Sequence, residues 1–313
     1  MKIIQWDGKP ISTPGIYAGI PLASYHSAGI CDGPSISSSG LRTIFSKSAA
    51  HYWAKSPYND DRDDEPEERE GLTLGRAAHH LFLGQPHFLK EFVARPEKIA
   101  GEPWQGNRKV CRDWIADQAK KNLTVLTPDV IRRVTRMAKA LGAEPLVKAG
   151  ILAGHVEHSM FWKDAKTGVW LKARPDAIPN ASLDFADYKT TQSVQDTALS
   201  RTINDYSYHM QGALIGMGVR AILGKPMASF NLVFQESSSP FCVATKAIKS
   251  ERLAKGEDEC RIAIDVFARG LKTGTWLGPQ GRQRDVTWVD ISPRAEEDRA
   301  FRLSQLKREM EDK

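Results

Sequence analysis

The residues best suited to do chemistry lie between positions 174 and 189. Arg174-Pro175-Asp176 falls late in one apolar, strand-like run, and Asp187-Tyr188-Lys189 lies within the next. Residues i and i+2 of a strand project from the same face, so Asp187 and Lys189 stand together while Tyr188 faces away. A tight connection makes the two strands neighbours, which can bring Asp176 beside Asp187. Two converging carboxylates form a hard, oxygen-rich site suited to Mg²⁺ or Mn²⁺. An ion held there can polarise a phosphodiester, lower the pKa of an attacking water and neutralise developing charge. The Lys189 ammonium would orient that water or stabilise the charge beside the metal. An Asp and a Lys two apart on a strand are common as an exposed, weakly coupled pair. The preceding Pro-Asp, the adjoining strands and the long helix that follows give this pair more weight.

The elements that must position these residues can be read from periodicity. The first forty residues are rich in Gly, Pro, Ser and Ile and read as an irregular arm or short hairpin. Ser37, Ser38 and Ser39 offer N-caps for a helix over about 41–53, where Leu41, Ile44, Phe45 and Ala49 keep helical spacing. Further helices are expected over 72–83, 108–121 and 129–141, the last opened by Thr127-Pro128. HVEHSMFW and GVWLKARPDAI read as two strands around a turn at 164–168, with SLDFADYKT as a third. A long helix over 204–223 stops at Gly224-Lys225-Pro226. The strands ASFNLVF and FCVATKAI, a helix carrying Ile264, Phe267 and Leu271, a short strand at 286–291 and a charged C-terminal helix complete the chain.

Composition narrows the class without fixing it. The chain has 313 residues, 41% hydrophobic and 26% charged, as one large or two small domains would. No run of about eighteen apolar residues could span a membrane, and MKIIQWDGKP is not of signal-peptide type, so a cytoplasmic location is expected. The net charge of +6 permits a polyanionic partner, and the acidic segment 60–70 leaves the remainder more basic still. Cys31, Cys111, Cys242 and Cys260 are scattered, which excludes zinc-ribbon spacing and favours reduced, structural thiols.

ARPDAI followed by DFADYKTT resembles the PD-(D/E)XK nuclease signature, and the surrounding sequence resembles the RecE-type exonucleases of phages and prophages. The same resemblance extends to Gly75-Arg76-Ala77-Ala78-His79, to SISSSGLRTIFSKSAAHYW, and to HVEHSMFW and TGVWLKARPD, covering about 30–275. It implies an α/β fold: a restriction-endonuclease-like αβββαβ core, with a central mixed sheet flanked by helices and N-terminal helical additions. The expected organisation is an arm over 1–36, a nuclease domain over 37–291 with a helical insertion at about 100–150, and a charged helix over 292–313. Some nucleases of this fold carry an iron–sulfur cluster on clustered cysteines, and that clustering is missing here. The implied activity is a Mg²⁺-dependent exodeoxyribonuclease, with Mn²⁺ able to substitute, that degrades linear double-stranded DNA 5′ to 3′ in phage-type recombination. A ring-shaped homo-oligomer and a single-strand-annealing partner are implied by the resemblance alone. The alternatives are a structure-specific or single-strand nuclease of the same fold, or a non-catalytic DNA-binding or assembly module on a decayed one.

The candidate catalytic residues are Lys189, Asp176, Asp187 and Gln211; the candidate metal ligands are Asp176, Asp187, His79 and Glu157. His79 follows Gly75 by one helical turn on the same face, which leaves room for an approaching group. A hydrogen-bonded, partly buried histidine is the competing reading, and His80, about 100° around the helix, is a lesser candidate. Glu157 on the first strand can approach Asp176 or face solvent. Gln211 matches the first position of the Gln-x-x-x-Tyr motif that related nucleases carry on this helix, but Ile215 stands where the tyrosine would be; Tyr208 is one turn earlier. For DNA phosphates the candidates are Lys172, Arg174 and Arg201, with Gln211 near the scissile strand. Lys172 and Arg174 share a face with Asp176 by strand alternation. Arg132, Arg133 and Arg136 read by default as a solvated face, and Trp162 and Trp170 as a cross-strand pair. The apolar positions Phe301, Leu306 and Met310 of the C-terminal segment can serve an oligomer contact or dock on their own domain.

Overall fold

The computed structural model describes the chain except for residues 1, 63–69, 83–87, 157, 180–181, 283–285, 287 and 312–313. The chain divides into two compact units, 1–278 and 279–313. The first unit contains two five-stranded sheets. Their strands are β1 (Ile3–Gln5), β2 (Gly15–Ala18), β3 (Ser35–Ser37), β4 (His155–Val156), β5 (Ser159–Lys163), β6 (Trp170–Ala173), β7 (Ala177–Ile178), β8 (Asp184–Thr191), β9 (Ser229–Glu236) and β10 (Val243–Ala247). One sheet has the order β1-β2-β5-β6-β3 and the other β10-β9-β8-β7-β4. The second is mixed: β8 runs parallel to β9 along all eight residues, Asp184 opposite Ser229 through Thr191 opposite Glu236, while β7 and β10 are antiparallel to their neighbours.

The expected three-strand meander is therefore divided between two sheets. Its first strand breaks into β4 and β5, and its second into β6 and β7, on either side of Arg174-Pro175-Asp176. A proline has no N–H for a ladder, so the strand is interrupted at Pro175 and restarts in the other sheet. The first 36 residues contribute β1, β2 and part of β3 to the first sheet, with β3 pairing in parallel with β6.

Helices cover both faces of the second sheet. They include α1 (Ser38–Ser46), α2 (Ala49–Trp53), α3 (Glu70–Phe82), α4 (Lys109–Lys120), α5 (Pro128–Ala143), α6 (Asp196–Asp205), α7 (Tyr208–Leu223) and α8 (Ser250–Thr273). Strand alternation separates the two sides. Phe185, Phe230, Leu232 and Phe234 join a core with α1, α7 and α8 through Leu41, Leu214 and Phe267. Ala186, Tyr188 and Val233 join a second core with α3 and α5 through Leu74, Ala78, Val134 and Met137. The helix expected over 41–53 is two helices, because Ser48 is extended and caps α2 by accepting from the His51 N–H at 3.3 Å, a bond worth about 1 kcal/mol. The helix expected over 204–223 is also two, α6 and α7, separated at Ser207.

Trp162 and Trp170 are not a cross-strand pair. The register sets Trp162 opposite Leu171 and Trp170 opposite Lys163, which sends the rings to opposite faces. Trp162 joins the main core, while Trp170 packs with Phe161 and donates from Nε1 to Asp32 at 2.6 Å. In the second unit, no strand forms among the described residues of 286–291, and α9 spans Pro293–Glu311 with Phe301 and Met310 exposed. All four cysteines are free thiols.

Candidate active site

Asp176 lies where the chain passes from one sheet to the other, between β6 and β7. Ala177 pairs with Ala186, so Asp176, immediately before β7, is brought beside Asp187 of β8. The Asp176 carboxylate is held at both oxygens. Oδ1 accepts from His79 Nε2 at 2.7 Å and Oδ2 from the Tyr188 N–H at 2.5 Å. Asp187, only 1% exposed, accepts at Oδ1 from the Gln211 amide at 2.7 Å, and its Oδ2 contacts the Lys189 ammonium. Tyr188 projects to the other face, where its hydroxyl donates to Gln235 Oε1 at 2.7 Å and its ring meets Phe82.

Two helices supply the remaining groups. α3 docks through Leu74, Ala77 and Ala78, which leaves His79 at the edge of the buried face. At Gly75 the helix passes close to β8, with Thr190 Oγ1 3.2 Å from where a Cβ would stand. α7 lies on the opposite side of the sheet and carries Gln211. A cleft of about 660 Å³ opens over the site, lined by Gly75, His79, Arg174, Asp176, Lys189 and Tyr208, with Asp187 buried behind it and bonded to Gln211.

The charges interlock. Burial, and then the Asp176 charge, push the Asp187 pKa up to about 6. Burial also opposes ionisation of Asp176, but His79, Lys189 and the Tyr188 N–H outweigh it and hold that carboxyl below its ordinary value. Burial disfavours the Lys189 ammonium, yet Asp187 and Asp176 raise its pKa; His79 is raised against its own burial chiefly by Asp176. An ammonium, an imidazole and two carboxylates thus meet in a desolvated corner.

The donor set fits a divalent ion that keeps part of its hydration. Among the described residues no three His, Cys, Asp or Glu side chains converge as a closed cage. Mg²⁺, however, is commonly held by one or two carboxylates with water and substrate oxygens. Asp187 Oδ2 is engaged by the Lys189 ammonium, and the buried Gln211 Oε1 has no hydrogen-bond partner. An unpaired buried acceptor such as Gln211 Oε1 carries a free-energy cost that a cation beside it would relieve.

The other candidates are distributed as follows. Glu157 lies outside the described residues. His80 is turned from Asp176 to Glu91, with Nε2 3.2 Å from Oε2. Lys172 and Arg174 do not share a strand with Asp176, because β6 ends at Ala173. Lys172 is 3% exposed and donates to the Tyr25 carbonyl at 2.7 Å. Arg174 lines the cleft while donating to Ser159 Oγ and the Ile20 carbonyl, both at 2.7 Å. Arg201 is exposed on α6 and is not among the cleft-lining residues. Arg133 and Arg136 reach Ser237 and Ser239, and Arg132 reaches Asp129. Ile215 packs into the main core. Sequence reasoning missed Arg42 of α1, whose guanidinium lies 5.8 Å from the Tyr208 ring centroid and is lowered in pKa by burial, with Tyr208 and Asp187 opposing that shift. A single arginine on an amphipathic helix gives no signal for this, because the contact forms only when α1 packs against α7.

The mixed sheet, one carboxylate just before β7 beside a second on β8, and the lysine two residues after the second define a PD-(D/E)XK-like core. Residues 37–278 match the family described as the PDDEXK-like domain of unknown function (DUF3799), and the chain belongs to that family. A solved structure from Eubacterium rectale named "Putative exonuclease" is similar with a TM-score of 0.55 and 14% identity, over 82% of this chain and 91% of that one. At that identity the likeness shows the fold alone. The structure named SSO0001 aligns with a TM-score of 0.27 and 16% identity over 50% of this chain and 67% of that one, too weakly to carry an argument. No curated protein matches the chain.

Proposed function

We propose that this protein is a Mg²⁺-dependent exodeoxyribonuclease acting on linear double-stranded DNA. The observation that carries the reading is the meeting of Asp176, Asp187 and Lys189, with His79 and Gln211 bonded to the two carboxylates and with Asp176, Lys189 and His79 lining one cleft. Asp176 and Asp187 would hold the ion, with Gln211 Oε1 or His79 beside them. The ion would lower the pKa of an attacking water and draw charge from the scissile phosphate. Lys189 stays protonated among carboxylates, so its Nζ can donate to that water or to a non-bridging phosphate oxygen. Arg174 at the cleft wall and Arg201 on α6 are the proposed backbone contacts. The resemblance to RecE-type enzymes supports 5′ to 3′ polarity, a ring-shaped oligomer, a single-strand-annealing partner and a role in phage recombination. The PDDEXK-like family and the similarity to the Eubacterium rectale structure support a nuclease more broadly.

The test is degradation of linear duplex DNA labelled at either end, beside a covalently closed circle. Mg²⁺-dependent loss of the linear DNA with early release of the 5′ label, sparing the circle, is expected. EDTA stops it and Mn²⁺ restores it. Lys189→Ala lowers the rate at least about 100-fold, the scale of losing a group that stabilises transition-state charge. Absence of cleavage with every divalent metal tried rules the enzyme out and leaves a binding module.

A further inference from the structure

Tyr206 and Tyr208 are two residues apart, a spacing at which side chains on one helix do not face each other. Here they stack, with ring centroids 5.6 Å apart and planes within 13°. The cause is Ser207 between α6 and α7, a non-glycine residue at φ 49 and ψ 44. This left-handed conformation is unfavourable for a residue with a side chain and persists because its surroundings impose it. Ser207 is buried and its N–H donates to the Asn204 carbonyl at 3.0 Å. The pair is fixed from below as well. The Lys189 ammonium lies 5.2 Å from the Tyr208 ring centroid, and Arg42 donates to the Tyr206 carbonyl at 2.7 Å. Tyr208 lines the cleft, whereas Tyr206 is 61% exposed.

We propose that Tyr206, backed by Tyr208, is a stacking platform for an unpaired nucleobase beside the phosphate held near Lys189. A flat exposed ring next to cations matches single-stranded nucleic acid, whose bases stack on aromatics while its phosphates meet Lys and Arg. A base inside a duplex is already stacked on both faces, so the platform selects an end nucleotide that has left the helix. Tyr206 is then a positioning residue for the reacting strand, and this role rests on the nuclease reading given above.

The experiment uses oligonucleotides carrying 2-aminopurine at successive terminal positions, mixed with the full-length protein in EDTA so that DNA stays intact. Fluorescence quenching at one position is expected, lost in Tyr206→Ala and retained in Tyr206→Phe. In the otherwise native protein, Tyr206→Ala raises KM about tenfold, within the range known for base–aromatic stacking, and leaves kcat little changed. An abasic nucleotide at the same position raises the wild-type KM equally and adds nothing to Tyr206→Ala. Unchanged quenching and KM in a folded Tyr206→Ala protein that still cuts DNA overturn the platform alone. Tyr206-dependent quenching without cleavage by the wild type under any metal overturns the nuclease reading and keeps the platform. Neither quenching nor cleavage overturns both.

Discussion

Burial disfavours charge on both Lys172 and Lys189, yet their surroundings move the two ammonium groups in opposite directions. At Lys189 the carboxylates prevail and the pKa rises. At Lys172 desolvation prevails, Arg174 adds to it, and the pKa falls from 10.5 to about 8. Between those values the unfolded chain holds a proton that the folded chain has released, so this group makes stability rise with pH across the window. Its penalty is fully present below about pH 8. The difference in Tm between Lys172→Met and wild type should therefore shift in favour of wild type from about pH 8 to 10; a pH-independent difference would place the charge elsewhere. Gln211→Ala removes the donor to Asp187 Oδ1 and should lower metal affinity or cleavage about 10–100-fold, as loss of a group supporting a metal ligand does. Equal cleavage and Mn²⁺ binding would remove Gln211 from the site. Asp187 and Lys189 were legible as a pair because the strand period is short and local. Placing Lys172 and Arg174 with Asp176 assumed that the period runs through Pro175, where the strand ends. Tyr206 left no signal at all, since its partner lies across a backbone conformation that the word Ser does not announce.

At the scale of elements, α7 is fitted to the sheets by its glycines. A Cβ at Gly218 would stand 2.7 Å from the Trp162 ring, whereas one at Gly142, near the end of α5, meets nothing within 4 Å. Gly218→Ala should destabilise the fold by about 1–3 kcal/mol, the cost of overpacking, and depress cleavage because α7 carries Gln211. Gly142→Ala should stabilise by about 0.4–1 kcal/mol through the unfolded chain and leave cleavage unchanged. Denaturant unfolding of the two variants checks both signs, and equal effects would refute the tight seating of α7. Helices α3, α4 and α5 were readable within a residue or two because their apolar spacing is regular, and α5 is also opened by the Thr127 cap and Pro128. β1 and β3 were not, for a physical reason: each has three residues, and β3 is held by parallel pairing with β6, far away in sequence. Such a strand is stabilised by its partner and carries little pattern of its own.

At the scale of the molecule, charge and fold are unevenly shared between the two compact units. Residues 279–313 hold eight Lys or Arg and eight Asp or Glu, so the whole net charge of +6 resides in 1–278. The family match also ends at 278, and among the described residues the buried cores and the cleft draw on those before that point. Phosphate binding is set by cations near the cleft, and each phosphate neutralised steepens the dependence of affinity on salt by about one unit of log K against log salt. A chain ending at Gly278 should therefore melt cooperatively, cleave DNA with Mg²⁺ and bind uncut DNA with a salt slope within about one unit of the full chain. Charge reversal at Arg174 should flatten that slope, while charge reversal at Arg294 or Arg299, in the neutral unit, should not. A slope that falls by several units on removing 279–313 would mean that its arginines meet the DNA and that its neutrality conceals a sorted distribution of charge.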